Sequence, residues 1–279
     1  MSERQMGGCR AWRSLLGTGI IALALLAACS GERVTGDGAG GVQIPIEVLR
    51  PEGAGPFPAV VVLHACNGAN GVVTHQWMKR LVEQGYVVAL PDSFTPRGYP
   101  TGVCGNGNDV RPELRRADAY LALHQLEVRA DVQAAHIGLI GFSHGGWSVL
   151  TTMARDTGPL PSGAQHGFAA AVALYPFCEQ RYQFRTYEPV GPLLILAGAL
   201  DDWTPAAPCE SLAERSAAAG LPVTIHVYPG AGHAFDSFAP PTFIAVANRG
   251  KGAHVGGVPE ARNDAIARVT AFFGRWLKG

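Results

Sequence analysis

Short apolar runs and longer amphipathic stretches alternate along most of this chain. Residues 58–63, Pro-Ala-Val-Val-Val-Leu, are apolar without interruption, as a parallel strand in the middle of a sheet requires. Residues 42–49 alternate instead and predict an earlier strand. A helix is predicted over 74–84, ended by Gly85, followed by a strand over 86–90. Residues 112–129 predict a long helix, with Leu114, Ala117, Leu121 and Leu126 near helical spacing. A strand over 136–140, a helix to about Arg155, and strands over 168–174 and 192–198 come next. Residues 206–219 read as a helix stopped by Gly220, and 223–228 as another strand. In the last helix, 261–277, Ile266, Val269, Phe272, Phe273 and Trp276 are expected to face inward. Strands alternating with helices predict an α/β fold: a doubly wound, mostly parallel sheet with helices on both faces. Ligands of such sheets bind at the carboxyl ends of the strands.

One of those carboxyl ends carries Gly141-Phe142-Ser143-His144-Gly145-Gly146, placed between the strand over 136–140 and the next helix. Glycines around a serine at a strand-to-helix turn allow a strained backbone that projects the hydroxyl above the sheet, as in an α/β-hydrolase. A serine hydroxyl is a poor nucleophile near neutrality and needs a base, which in turn needs a carboxylate to orient it. His233, flanked by glycine on the loop after strand 223–228, is the candidate base. The acid follows strand 192–198, where Asp201 and Asp202 are adjacent; Asp201 is favoured because it lies three residues after Gly198 and four before Pro205. The order serine, aspartate, histidine is that of an α/β-hydrolase. The oxyanion needs amide donors. The candidates are the N–H of His144 and, from the loop after strand 58–63, that of Cys66; His64 in the same loop reads as structural. Trp203, Phe142 and Phe235 adjoin the catalytic residues and are candidates to line an apolar pocket. Residues 236–263 lack periodicity and are expected to shape or cover it.

With 279 residues, 47% of them hydrophobic and 16% charged, the chain can form one sizeable core, so a single catalytic domain is the economical reading. A formal net charge of zero, with no basic block, argues against a nucleic-acid partner. No spacing of cysteine or histidine suggests a metal site. Arg4, Arg10 and Arg13 precede an apolar run over 15–28, the pattern of a secretory signal. That run ends in Leu26-Ala27-Ala28-Cys29-Ser30, which resembles the lipobox of bacterial lipoproteins. The resemblance implies cleavage before Cys29, lipidation of that cysteine, and a location in the cell envelope on the periplasmic face or outer membrane. Three segments are therefore expected: a signal over 1–28, a glycine-rich flexible tether over 29–41, and the catalytic domain over 42–279. In an oxidising compartment Cys66, Cys104, Cys178 and Cys209 are available for disulfides. Four cysteines allow three pairings and the sequence does not choose between them. Cys66 with Cys104 and Cys178 with Cys209 is the expected set, since each pair falls on loops around Ser143.

Together, G-F-S-H-G-G, G-x-x-D-D-W-T-P and Y-P-G-A-G-H-A-F resemble the dienelactone hydrolase family across about residues 42–278. The resemblance implies an α/β-hydrolase fold and hydrolysis of a small-molecule ester or lactone by a nucleophile, histidine and aspartate triad, with no metal and no organic cofactor. The founding members carry a cysteine where this chain has Ser143, and a glutamate where it has Ala65. They also hold the substrate carboxylate with two arginines, one of which corresponds to Arg97. Arg97 is therefore a candidate substrate contact, the alternative being a salt bridge that holds its loop. Trp203 is a second candidate contact, as an aromatic beside the acid. A serine peptidase of related fold and a non-catalytic envelope binding protein are the competing readings.

Overall fold

The uninterrupted apolar run becomes β3 (Phe57–Leu63), and its place in the sheet explains its composition. The computed structural model describes residues 30–105, 109–158, 165–179, 185–245 and 247–279. Within them lie β1 (Ser30–Asp37), β2 (Gln43–Arg50), β4 (Val87–Pro91), β5 (Val132–Phe142), β6 (Ala170–Leu174), β7 (Leu193–Gly198) and β8 (Val223–Tyr228). Together with β3 they form one sheet in the order β1-β2-β4-β3-β5-β6-β7-β8. β2 is antiparallel to both neighbours, and every pair from β4 to β8 is parallel. Side chains of β3 alternate between two separate cores, Ala59, Val61 and Leu63 entering one and Val60 and Val62 the other. The first core is closed by α2 (Pro112–Glu127), α3 (His144–Met153) and α4 (Ala207–Ala218). The second is closed by α1 (Val72–Glu83) and α5 (Pro259–Leu277). Helices on both faces leave the carboxyl ends of β5, β7 and β8 open for a site.

Two expectations are corrected and a third is extended. The segment read as a flexible tether begins the sheet: β1 pairs with β2 from Ser30 opposite Arg50 to Asp37 opposite Gln43. Its glycines serve packing and turning, since Gly36 lies under Leu121, while Gly40 and Gly41 take left-handed φ values of 79° and 74° in the β1–β2 turn. Only Val34 of this strand packs on the core, so the periodicity is too weak to announce a strand that backbone pairing and the Arg129–Glu32 ion pair hold. On α2 the buried face includes Arg115, Asp118, Ala119, Ala122, Leu123 and Leu126. Of the expected positions Leu126 is buried and Leu114 and Leu121 are half-buried against apolar clusters, while the two buried charges were not foreseen. On α5, Ala261, Ala265, Val269, Phe273 and Leu277 are buried. Trp276 falls at the edge of that stripe, exposed beside the Arg275 guanidinium. The predicted signal segment and Cys29 lie outside the described residues.

The four cysteines pair as Cys66–Cys104 and Cys178–Cys209, the set that was expected. The first ties the loop after β3 to the loop before α2, and the second ties the segment after β6 to α4.

Candidate active site

Ser143 joins β5 to α3 with φ 53° and ψ −113°, a conformation that costs a non-glycine residue free energy and that the surrounding contacts must impose. The glycines of the motif make that packing possible. A Cβ on Gly141 would stand 2.3 Å from the Gly145 carbonyl oxygen, and one on Gly145 would stand 2.0 Å from the Leu63 carbonyl oxygen. The Ser143 N–H donates to the Leu174 carbonyl at 2.9 Å, tying the turn to the end of β6.

The three catalytic candidates meet. Ser143 Oγ is 2.9 Å from His233 Nε2, and His233 Nδ1 is 2.8 Å from Asp201 Oδ2. With its proton on Nδ1, His233 donates to the carboxylate and keeps Nε2 as the acceptor for the serine proton. Asp201 is held in turn by the N–H groups of Trp203 and Thr204 on Oδ1, at 2.9 and 2.7 Å, and by the Thr204 hydroxyl on Oδ2. Those bonds explain why the aspartate lies three residues before a threonine on a tight turn. Asp202 points outward and accepts from the His254 N–H and ring, at 2.9 and 2.7 Å.

Ser143 opens into a cleft of about 240 Å³ lined by Cys66, Val103, Cys104, His144, Trp147, Phe177, Trp203, Thr204, Asn248 and Lys251. Both residues named as oxyanion donors, Cys66 and His144, are therefore at the nucleophile, and Trp203 is in the wall with its ring 4.8 Å from that of His233. Asn248 and Lys251 come from the aperiodic stretch, whose hairpin β9 (Thr242–Ile244) and β10 (Ala253–Val255) brackets a helical turn. That stretch shapes the cleft as expected. Phe142 and Phe235 do not line it; both are buried in the core. Arg97 is also corrected. Its guanidinium grips Asp118 in a bidentate pair at 2.7 and 2.9 Å and donates to the Ser93 carbonyl, and it is absent from the cleft. A buried carboxylate on α2 claims this arginine, which is why it serves as a loop fastener.

His64 is structural, with Nδ1 2.9 Å from the Ala65 carbonyl and Nε2 accepting the Ser93 N–H. Burial, and secondarily the charge of Arg115, hold its pKa well below the ordinary 6.5. An unfolded chain takes up a proton near 6.5 and the folded chain resists it, so stability falls as pH drops from about 6.5 toward the depressed folded value. The thermal unfolding midpoint is expected to decline across that window, and the decline to be shallower in His64→Asn. Equal slopes in both proteins would reject this account.

Two buried groups escaped the sequence reading. Asp236 accepts from Trp77 Nε1 at 2.7 Å, and the Tyr175 ring stands edge-on to His233 at 4.9 Å. Burial raises the pKa of Asp236 and pushes that of Tyr175 well above its usual value. The Trp77–Asp236 bond fastens the loop that carries the base to α1, and a lone aspartate in an aperiodic stretch gives no signal of it. Arg115 is the other. Among the described residues no three His, Cys, Asp or Glu side chains are grouped to hold a metal ion.

The profile of the dienelactone hydrolase family matches residues 44–277, which span this site and nearly the whole sheet. The chain belongs to that family. A Bradyrhizobium protein assigned as a 2-oxo-3-(5-oxofuran-2-ylidene)propanoate lactonase is 28% identical over 67% of this chain and 77% of its own length. A Yersinia pestis protein assigned as a carboxymethylenebutenolidase is 26% identical over 74% of this chain and 79% of its own. In fold, the chain matches the crystal structure of a Klebsiella pneumoniae protein assigned as a dienelactone hydrolase. That match has TM-score 0.67 and 22% identity, and it covers 89% of this chain and 100% of that one. As a dienelactone hydrolase family member with a serine nucleophile, the protein is a carboxylic ester or lactone hydrolase. The geometry suits Ser143 to attack the acyl carbon as His233 takes its proton, and the tetrahedral oxyanion would collapse to an acyl-enzyme as His233 returns that proton to the leaving oxygen. Water, activated by the same imidazole, would then release the acid.

Proposed function

We propose that this protein is a serine hydrolase of the cell envelope, held by a lipid on Cys29, that cleaves small esters or lactones bearing a negative charge. The hydrogen-bonded chain Asp201, His233, Ser143, opening into a cleft, carries the catalytic part of the reading. A cleft of about 240 Å³ with Val103, Trp147, Phe177 and Trp203 in its walls suits a compact, partly apolar substrate. Among the described lining residues, Lys251 is the one lysine or arginine, and a carboxylate on the substrate would match it. The name of the Bradyrhizobium relative's substrate, a propanoate joined to an unsaturated lactone ring, describes such a molecule. In a panel of short esters and lactones, Lys251→Met is expected to raise KM about 10-fold for those with a carboxylate and to leave neutral ones unchanged. This is roughly the 1.4 kcal/mol that one partly solvated charge contact supplies. An equal effect on both groups would reject the charge match.

The envelope location rests on Leu26-Ala27-Ala28-Cys29-Ser30 after an apolar run. Because β1 begins at Ser30, a lipid on Cys29 would adjoin the edge strand with no spacer. The anchor would lie across the sheet from the nucleophile, since Gly31 is level with Gly138 through Leu49, Val88 and Val60, and β2, β4 and β3 stand between β1 and β5. Replacing Cys29 by serine is expected to shift the protein from the membrane to the soluble fraction with kcat/KM on a soluble ester unchanged. Continued membrane association of that variant would refute the anchor.

A further inference from the structure

Behind the oxyanion loop sits a charge that the triad chemistry leaves unused. Arg115, one turn into α2, is completely buried. Its Nη2 donates to the His64 carbonyl at 2.7 Å, and its Nη1 lies 2.9 Å from His144 Nδ1. A guanidinium only donates, so Nδ1 of His144 accepts and the proton of that ring is on Nε2. The guanidinium also stands 4.9 Å from the centre of the Phe94 ring, and Phe94 packs edge-on against both His64 and His144, at 4.5 and 5.6 Å. Burial pulls its pKa down to about 9, against the opposing pull of Asp118, so it stays cationic near neutrality.

The two residues it grips belong to the two limbs of the oxyanion hole. His64 is two residues before Cys66 on the loop after β3, and His144 directly follows the nucleophile. One rigid, planar group thus bridges the backbone segments that present both amide donors. Burying a cation costs several kcal/mol, and an apolar side chain of like volume commonly packs there without loss of stability. Nε of Arg115 has no hydrogen-bond partner among the described residues, which adds to that cost. A group expensive to the fold and bonded to both limbs of the site points to a role in the reaction.

We propose that Arg115 is a positioning residue. It fixes the separation of the Cys66 and His144 amide donors and places a buried positive charge behind the oxyanion. The proposal rests on those two N–H groups forming the oxyanion hole of the serine hydrolase described above.

The test uses the full chain carrying Arg115→Met or Arg115→Lys, with thermal unfolding followed in parallel. On a short neutral ester, Arg115→Met is expected to lower kcat about 100-fold with KM within threefold, the range seen when oxyanion stabilisation is impaired. Affinity for an alkyl boronic acid, which forms a tetrahedral adduct on Ser143, should fall by a similar factor, whereas the midpoint of the pH profile of kcat/KM should not move. Arg115→Lys keeps the charge and one or two of the bonds, so it should recover about a tenth or more of the wild-type kcat. A loss expressed only in KM, unchanged boronate affinity, or a lysine variant no better than a folded methionine variant would overturn the proposal. Should the methionine protein fail to fold, the lysine variant decides alone: boronate affinity and kcat must fall together, and either one falling without the other rejects the role. Fluorophosphonate labelling of wild-type Ser143 separates the two levels of failure, because its absence sinks the serine hydrolase reading and its presence leaves Arg115 to be judged by the variants.

Discussion

Replacing Ser143 by alanine is expected to lower turnover of an activated ester by about 10⁴-fold or more and to abolish labelling by a fluorophosphonate. His233 Nε2 has its hydrogen bond with this hydroxyl at 2.9 Å. Among the described lining residues the other hydroxyl, that of Thr204, is engaged with Asp201 and with the Tyr175 carbonyl. No second nucleophile therefore takes its place. Alanine meets the same left-handed backbone requirement at φ 53° that serine already satisfies, so the unfolding midpoint should stay near that of the wild type. The loss should appear in kcat, since the cleft walls that bind substrate are unchanged. Residual turnover within tenfold of wild type would reject Ser143 as nucleophile, and with it the acyl-enzyme route.

The second large effect separates two adjacent aspartates. Asp201→Asn should cost about 10⁴-fold in kcat, whereas Asp202→Asn should stay within about threefold. The reason lies in which partners each carboxylate holds. Asp201 Oδ1 accepts two backbone N–H groups, from Trp203 and Thr204, so an asparagine would keep its carbonyl oxygen there and turn its NH₂ toward His233. An NH₂ facing Nδ1 forces the imidazole proton onto Nε2, which then donates to Ser143 and cannot serve as its base. Asp202 instead binds His254 at the protein surface; burial, the largest single influence, raises its pKa, and the hydrogen bonds and charge of His254 together outweigh it and lower the pKa. Neutralising it loosens the attachment of the β9–β10 hairpin without touching the imidazole of His233. Steady-state kinetics on the two variants decide the assignment, and a larger loss in Asp202→Asn would reverse it.

Much of the site was readable because its residue types are forced by local geometry. Gly141 and Gly145 are required where backbone passes within van der Waals contact of backbone, Ser143 where a strained turn leaves β5, and Asp201 and His233 on loops directly after strands. Such constraints are short-range, so they leave a trace in consecutive residues. The same holds for β3, whose burial on both faces admits only apolar side chains.

Other features depend on partners distant in sequence. Arg97 resembled an anion contact until Asp118 was found against it, and Arg115 carried no signal because its bonds reach His64 and His144. The two charges on the inner face of α2 left no trace in the pattern either, since an apolar periodicity cannot register an arginine and an aspartate that are buried together. Edge strand β1, with a single packed apolar side chain, is held by hydrogen bonds that every sequence can make. The sequence by itself therefore determined the order of elements from β2 to β8 and the local settings of Ser143, Asp201 and His233, each of which is set by neighbours along the chain, while the ester chemistry followed from the family resemblance. Tertiary structure alone decided which charged groups line the cleft and which face one another. The energy of a buried charge depends on what lies within a few ångströms of it, and that company is assembled only on folding.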